Sequence, residues 1–590
     1  MRRGTRAWAA LAAGMALACG AGFAAAQSAP STAAKPGTSA TATAKATLVA
    51  GDATASWQRA RALADADRHD EALAVIAAAL DKHPDDISLL WLRAGVTGWA
   101  GRHRESVALF EALLARHPEM TASVRADLAT QRLWAGDPEG AIRDFDERLE
   151  ERPEDDASDR LRARAYADAG RLDESIAAYE RLLRAHPGDV DLMLGRARAL
   201  GWTDRHVPAI AAYREVLERD PGNMDARLGI ATNENWRGRH RQAAALFAEI
   251  ARDSSADPEA LKGLAYAEYW AGRPDKAFAP LERYVTMAPD DPEGTELARM
   301  LARETHPGLT GGYDWSGDSD DLHVFTTTLE YRLTADPRTA VSIGWRRDRV
   351  SDGGGREEPS RLGIGVQRIW SDLLSTRAYL WGFKPGPGRT ERGMGEAEVS
   401  LRPGDALSLS AGYTKEPVLT RLSLERRIDM RSVSLGAEWL ATPRLTLEGS
   451  HQIARYSDHN RALRTSAGAA FTVVKRRRFA AAVTGDVEHL RVRDDLDNGY
   501  YDPERYYTAG PGVRLEWTPR EAASIELIAR AGVQEEKDAD AEPYHNVRLS
   551  VDVPLGWIGL FTEFETSDSN LSSATGFEQQ RWAAYLSVPF

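Results

Sequence analysis

Trp582-Ala583-Ala584-Tyr585-Leu586-Ser587-Val588-Pro589-Phe590 closes the chain. Trp582, Ala584, Leu586, Val588 and Phe590 put an apolar side chain at every second position up to the last one. Chain ends normally fray and pack poorly. The final strand of an outer-membrane β-barrel is an exception, because it closes the wall and keeps a lipid-facing apolar row to its end. Phe590 is accordingly expected to be the signal read by the barrel assembly machinery.

The preceding region reads the same way. From Thr305 onward the apolar period changes from 3.6 to 2. Phe325, Thr327, Leu329, Tyr331 and Leu333 alternate with Thr326, Thr328, Glu330 and Arg332. Val433, Leu435, Ala437 and Trp439 repeat the pattern, as do Val513, Leu515 and Trp517, and Val547, Leu549, Val551 and Val553. Turn clusters such as Asp352-Gly353-Gly354-Gly355 and Pro385-Gly386-Pro387-Gly388 separate the segments. About 16 to 17 segments fit, and single-chain bacterial barrels take even strand numbers, so about 16 strands are expected, with 14 as the alternative. A soluble β-sandwich pair would not explain Phe590, nor the aromatics at strand ends (Trp345, Trp370, Trp439, Trp517, Trp582).

If the apolar set faces lipid, the alternate set lines the lumen. That set contains Glu330, Glu396, Glu398, Glu438, Glu448, Asp486, Glu488, Glu516, Glu526, Asp552 and Glu563. Fewer bases share the parity: Arg332, Arg346, Arg402, Arg514, Arg530 and Arg548. Two readings stay open. The acidic excess concentrates cationic solutes, or Glu and Arg simply pair across strands of a wet lumen.

Upstream lies a repeat. Pro84, Pro118, Pro153, Pro187, Pro221 and Pro289 recur at a period of about 34, the mark of tetratricopeptide helix pairs. Ala60, Ala94, Ala163, Ala197, Ala231 and Ala265 mark the close approach in the first helix of each pair. Ala72, Ser106, Ala141, Ser175, Ala209, Ala243 and Ala277 mark it in the second. Gly101, Gly136, Gly170, Gly238 and Gly272 sit where a helix C-cap needs them. Seven repeats fit between about 53 and 291, and a helix from Pro292 to Arg303 would cap the last apolar face. Trp99, Trp134, Trp202, Trp236 and Trp270 all occupy one repeat position. They either pack the end of the first helix or form an aromatic ladder for a protein or for sugar rings.

The N-terminus has the form of a secretory signal: Arg2, Arg3 and Arg6, an apolar run from Ala7 to Phe23, then Ala24-Ala25-Ala26. Cys19 is the only cysteine, and Ala16-Leu17-Ala18 before it is a poor lipoprotein box, so cleavage after Ala26 is expected. Losing the three arginines takes the formal charge from −13 to −16, which argues against nucleic acid. The expected organisation is a signal peptide over 1–26, a low-complexity linker over 27–55, a tetratricopeptide superhelix over 56–305, and a transmembrane antiparallel β-barrel over 306–590.

This order resembles the tetratricopeptide-containing exopolysaccharide export porins of Gram-negative bacteria. Tyr456-Ser457-Asp458-His459-Asn460-Arg461 and Gly499-Tyr500-Tyr501-Asp502-Pro503-Glu504-Arg505-Tyr506 are similar to segments of the poly-β-1,6-N-acetyl-D-glucosamine export porin. The second is also similar to a loop of the cellulose secretion porin. The resemblance implies export of a polysaccharide through an outer-membrane pore for a biofilm matrix. It also implies repeats that recruit a periplasmic polysaccharide deacetylase or guide the polymer. Partial deacetylation leaves cationic amines that suit an acidic lumen; cellulose export and an envelope scaffold are the alternatives. No Ser-His-Asp order, metal spacing or phosphate loop stands out, so neither catalysis nor a cofactor is expected. Loops 384–394 and 491–505 are expected gating segments on length grounds.

Overall fold

The computed structural model describes residues 52–590 apart from 254–256, 320, 387–388, 477, 497, 521–522 and 569–578. The signal segment and most of the expected linker lie outside the described residues. The chain divides into two compact units between Leu92 and Arg93. Fifteen helices form tetratricopeptide repeats, and a closed antiparallel barrel of sixteen strands follows. None of the described helices is long and apolar enough to cross a membrane.

Seven helix pairs run in order: α1 (Asp52–Asp65) with α2 (His69–Leu80), α3 (Ile87–Trp99) with α4 (His103–Arg116), α5 (Thr121–Trp134) with α6 (Pro138–Glu151), and α7 (Asp156–Asp168) with α8 (Leu172–Ala185). Then come α9 (Val190–Trp202) with α10 (His206–Arg219), α11 (Met224–Trp236) with α12 (His240–Asp253), and α13 (Pro258–Trp270) with α14 (Pro274–Met287); α15 (Pro292–Thr305) ends the series. All thirteen small residues singled out by their spacing are fully buried. Ser106 and Ser175, the two hydroxyls among them, donate to the carbonyls of Ala94 and Ala163 at 2.6 and 2.7 Å, so their burial leaves no donor unpaired. The turn glycines take φ between 71° and 84°; Asp67 and Asp204 fill the same left-handed position in repeats one and five.

A second small-residue rule emerges from the packing. A Cβ built on Gly195, Gly229 or Gly263 would lie inside the ring of Tyr179, Tyr213 or Phe247, respectively. These glycines leave room for a ring that is itself buried. Gly229→Val is therefore expected to overpack the interface and destabilise the repeats by about 1–3 kcal/mol. Thermal unfolding followed by far-UV circular dichroism checks this, and an unchanged midpoint would show that the ring can swing aside.

The barrel strands are β1 (Gly308–Asp318), β2 (His323–Asp336), β3 (Thr339–Asp352), β4 (Ser360–Ile369), β5 (Leu374–Lys384), β6 (Arg392–Leu401), β7 (Leu407–Pro417) and β8 (Asp429–Thr442). They continue as β9 (Leu445–Tyr456), β10 (Arg461–Arg476), β11 (Phe479–Val492), β12 (Tyr506–Arg520), β13 (Ala523–Glu536), β14 (Glu542–Leu555), β15 (Ile558–Ser567) and β16 (Gln579–Pro589). Each pairs with its sequence neighbour, and β16 pairs with β1 from Gly308↔Pro589 to Asp318↔Gln579, which closes the ring. A three-residue strand, Gly355–Glu357, is a flap on the end of β3.

Register runs the apolar rows around the outer face. Leu329, Trp345 and Leu362 stand opposite one another in turn, as do Tyr331, Ile343, Ile364 and Leu380, and these side chains are exposed. Trp370, Trp439, Trp517 and Trp557 are exposed near one end, and Tyr413 and Trp582 toward the other. An apolar band between aromatic girdles is the outer surface that a bilayer requires. Connections alternate in length. The short ones include 337–338, 370–373, 402–406, 443–444 and 556–557; the opposite end carries the long ones, including 418–428 and 493–505.

Candidate functional site

Helices α12, α14 and α15, with the turns that precede α12 and α14, bind the short-turn rim of the barrel. The backbone N–H of Arg241, at the start of α12, donates to Asp405 at 2.9 Å. The Arg241 guanidinium donates to the carbonyls of Asp372 and Arg402 at 2.7 and 2.8 Å. Arg273, at the N-cap of α14, and Lys276 in its first turn converge on the Asp372 carboxylate at 3.1 and 2.7 Å, and Arg338 reaches back to Asp275 at 2.7 Å. Arg303 of α15 lies 3.5 Å from Asp552. Arg332 donates to the carbonyls of Arg303 and His306. Arg332, Arg402 and Asp552 thus belong to the rim joint.

Burial works to raise the Asp372 carboxyl, but the hydrogen bonds and charges of Lys276 and Arg273 outweigh it and hold the group below the usual carboxylate range. The folded value is depressed, so this part of the joint is fully present above the unfolded value of about 4 and is lost as pH falls through the folded value. Hydrogen-exchange protection, taken relative to the intrinsic rate at each pH, is expected to fall in α12 and α14 before the barrel strands respond as pH drops from about 5 to about 3. Asp372→Asn should bring the same loss of protection at neutral pH.

Of the eleven carboxylates expected in the lumen, Asp552 belongs to the rim joint and the other ten stand on the face opposite the apolar rows. They fall into two groups. Glu398, Asp486, Glu526 and Glu563 lie 2.6, 3.2, 3.6 and 3.0 Å from Arg377, Arg530, Arg514 and Arg581, and Glu488 pairs with Arg464. Glu330, Glu396, Glu438, Glu448 and Glu516 carry no ion pair among the described residues. Glu438 and Glu448 are direct cross-strand partners. They line a cavity of ≈ 440 Å³ with Asp486, Glu488 and the serines Ser408, Ser410, Ser450 and Ser466. Like charges placed opposite each other destabilise a ladder, so this pair is held in place by the fold at a cost in stability. A second cavity of ≈ 570 Å³ lies against β1, β2 and β16 and is lined by Asp314, Glu330, Arg346, Arg361 and Arg581. Sequence reasoning missed Arg361, Arg377, Arg464, Arg581 and Asp314.

The long-loop mouth is filled from within. Loop 418–428 contains the short helix α16 (Arg421–Arg426). Its Leu424 is fully buried in one cluster with Leu322, Val350, Tyr379, Trp381, Phe383 and Met394. Tyr379, Trp381 and Phe383 alternate with the exposed Leu380, so they project into the lumen. Arg421 pairs with Asp352 at 2.7 Å, and Arg392 with Asp429 at 2.6 Å. Loop 493–505 locks onto this helix, since Ser423 donates to the Asn498 carbonyl at 2.8 Å. Tyr500 stacks on Tyr456 with ring centroids 4.4 Å apart. Asp458 accepts from Tyr500 and Asn498, both at 2.8 Å. The two segments singled out separately in the sequence therefore form one cluster. The helix-bearing loop 418–428, which sequence reasoning passed over, sits at its centre.

The tryptophans of the repeats end α3, α5, α9, α11 and α13. Trp134 has the Arg164 guanidinium 4.2 Å over its ring. Trp202, Trp236 and Trp270 are 42, 40 and 45 % exposed. Phe590 is exposed; its N–H donates to the Pro307 carbonyl at 2.8 Å, and its ring lies 6.5 Å from that of Tyr331.

The tetratricopeptide repeat family matches the sequence over residues 38–87, 126–190, 160–223 and 237–301. No curated protein matches it. Among solved structures, a bacterial polysaccharide outer membrane secretin is 12% identical, with a TM-score of 0.41 over 49% of this chain and 99% of its own. A tetratricopeptide repeat protein of Parabacteroides merdae is 15% identical, with a TM-score of 0.38 over 42% of this chain and 98% of its own. A thermophilic protein of the same repeat class from Thermus thermophilus is 19% identical, with a TM-score of 0.27 over 31% of this chain and 97% of its own.

Proposed function

We propose that this protein is an outer-membrane porin that exports a polysaccharide, with partly deacetylated poly-β-1,6-N-acetyl-D-glucosamine as the favoured cargo. The observation that carries this reading is the rim joint: the repeats are fastened by named ion pairs to the short-turn end of a barrel with a charged, wet lumen. Short turns face the periplasm in barrels of this kind, so the repeats would stand there, at the mouth where a polymer arrives. A periplasmic polysaccharide deacetylase, or an equivalent modifying enzyme, would be the partner they recruit. The unpaired Glu438 and Glu448 favour a cargo with free amines over neutral cellulose, because they offer charge with no resident counter-ion.

Deleting the gene should abolish secreted polymer that stains for amino sugar, and the full chain supplied in trans should restore it. A deletion strain that secretes amino-sugar polymer normally would remove the reading and leave the barrel as an anchor for a repeat scaffold. Loss of secreted cellulose alone would keep the porin and change its cargo.

A further inference from the structure

We propose that Trp202, Trp236 and Trp270 are stacking platforms for the pyranose rings of the polymer, forming a track along the last three repeats to the barrel rim. This rests on the export reading above. Three observations carry it.

The first is exposure. A tryptophan that only packed a helix end would be covered, and these three remain two-fifths exposed or more. The second is isolation. Among the described residues of the helical region, the exposed large apolar side chains are these three with Val207 and Met287. A protein partner needs a contiguous apolar centre, whereas a sugar ring needs single aromatic faces set apart. The third is position. The turn glycine that follows Trp236 lies against Leu440 of β8, and the one that follows Trp270 lies against Arg402 in the β6–β7 turn. Trp236 and Trp270 thus stand beside the joint already described, with Trp202 one repeat further from the barrel.

Two of the three indoles, Trp236 and Trp270, are also steadied from one side. The His206 ring sits 5.9 Å from Trp236 and is fixed by Asn233 at 3.0 Å. Tyr269 meets Trp270 edge-on at 5.2 Å, its hydroxyl donating to Glu304 at 2.7 Å. A held ring loses less freedom when a ligand stacks on it. Trp134 is not part of the track, because Arg164 occupies its face. The fourth repeat ends its first helix on Asp168, so the usable tryptophans are the consecutive three nearest the barrel.

The test is calorimetric titration of the full-length protein in detergent with a β-1,6-linked glucosamine pentasaccharide and with cellopentaose. Each aromatic face adds separately to the hold on a bound ring. The triple variant W202A/W236A/W270A should therefore bind the preferred oligosaccharide at least about tenfold more weakly. The triple Trp→Tyr variant should stay within about threefold of the parent, since the ring face is kept. Far-UV circular dichroism of both variants should match the parent. Affinity within about twofold of the parent in the triple Ala variant, or no recovery with Tyr, overturns the track. Unchanged oligosaccharide affinity together with loss of a co-purifying periplasmic protein would make the ladder a protein surface, which also overturns it. Export is read separately in the deletion strain, so the track can fail while the porin stands.

Discussion

Removing residues 419–427 and joining Val418 to Ile428 through two glycines should raise single-channel conductance of the full-length protein by at least about tenfold, because a sixteen-strand barrel otherwise leaves an aqueous channel. The ends to be joined already meet, with the Val418 N–H donating to the Ile428 carbonyl at 3.2 Å. The excised piece carries Leu424, which anchors the loop among Tyr379, Trp381, Phe383 and Met394. A finer variant separates lid opening from wall damage. Leu424→Asp puts a charge into that cluster, where an isolated carboxylate is strongly disfavoured, and should loosen the lid while leaving every strand intact. Both variants should melt with the parent barrel and conduct more than it does. Conductance at the parent level in both would show that the lumen is shut elsewhere, with the rim joint as the next segment to open.

The sequence made the repeats legible because a period of 34 imposes the same small residue at the same place each time, and Ala60 to Ala277 obey it throughout. The barrel was legible for a related reason: one lipid-facing row repeats across all sixteen strands. Both signals weaken where a strand has two apolar faces. In β5 the inward Tyr379, Trp381 and Phe383 are as apolar as the outward Leu380, because the lid covers them. The parity that would have put Arg377 in the lumen is hidden there. In β10 the outward row is interrupted by Thr465, Ala467 and Ala469, and a bulge between Thr472 and Val474 leaves both Val473 and Val474 exposed, so Arg464 could not be assigned. The lid itself escaped because its helix, Arg421–Arg426, is shorter than the window over which a helical period can be read. Its burial comes from tertiary contacts with strands some 30 to 100 residues away, of which a single sequence holds no record. Of the loops expected to gate, 384–394 and 491–505, the second locks onto the lid through Asn498 and Gly499.

The carboxylates of the lumen give the sharpest division between cargoes. Glu438 and Glu448 face each other without a counter-ion, while Glu488 is already partnered by Arg464 and Asp486 by Arg530. A polymer amine passing within about 4 Å of a free carboxylate gains between about 1 kcal/mol in bulk water and about 4 kcal/mol at an effective dielectric of 20. Glu438→Gln with Glu448→Gln removes that gain and keeps side-chain size and hydrogen bonding. The double variant, in the lid-deleted background, should lose most of its preference for cations, and block by a glucosamine oligomer should weaken by about tenfold or more. Block by a cello-oligomer should be unchanged. Glu488→Gln makes the matched control: it frees Arg464 instead of removing a free charge, so it lowers cation preference by adding an uncompensated base. It should also strip an ion pair from the wall, with a fall in thermal stability that the double variant lacks. The double variant should in fact melt no lower than the parent, because it relieves a repulsion across β8 and β9. If the oligomer block survives Glu438→Gln with Glu448→Gln, the free pair does not recognise the cargo, and the paired carboxylates or a neutral polymer become the better reading.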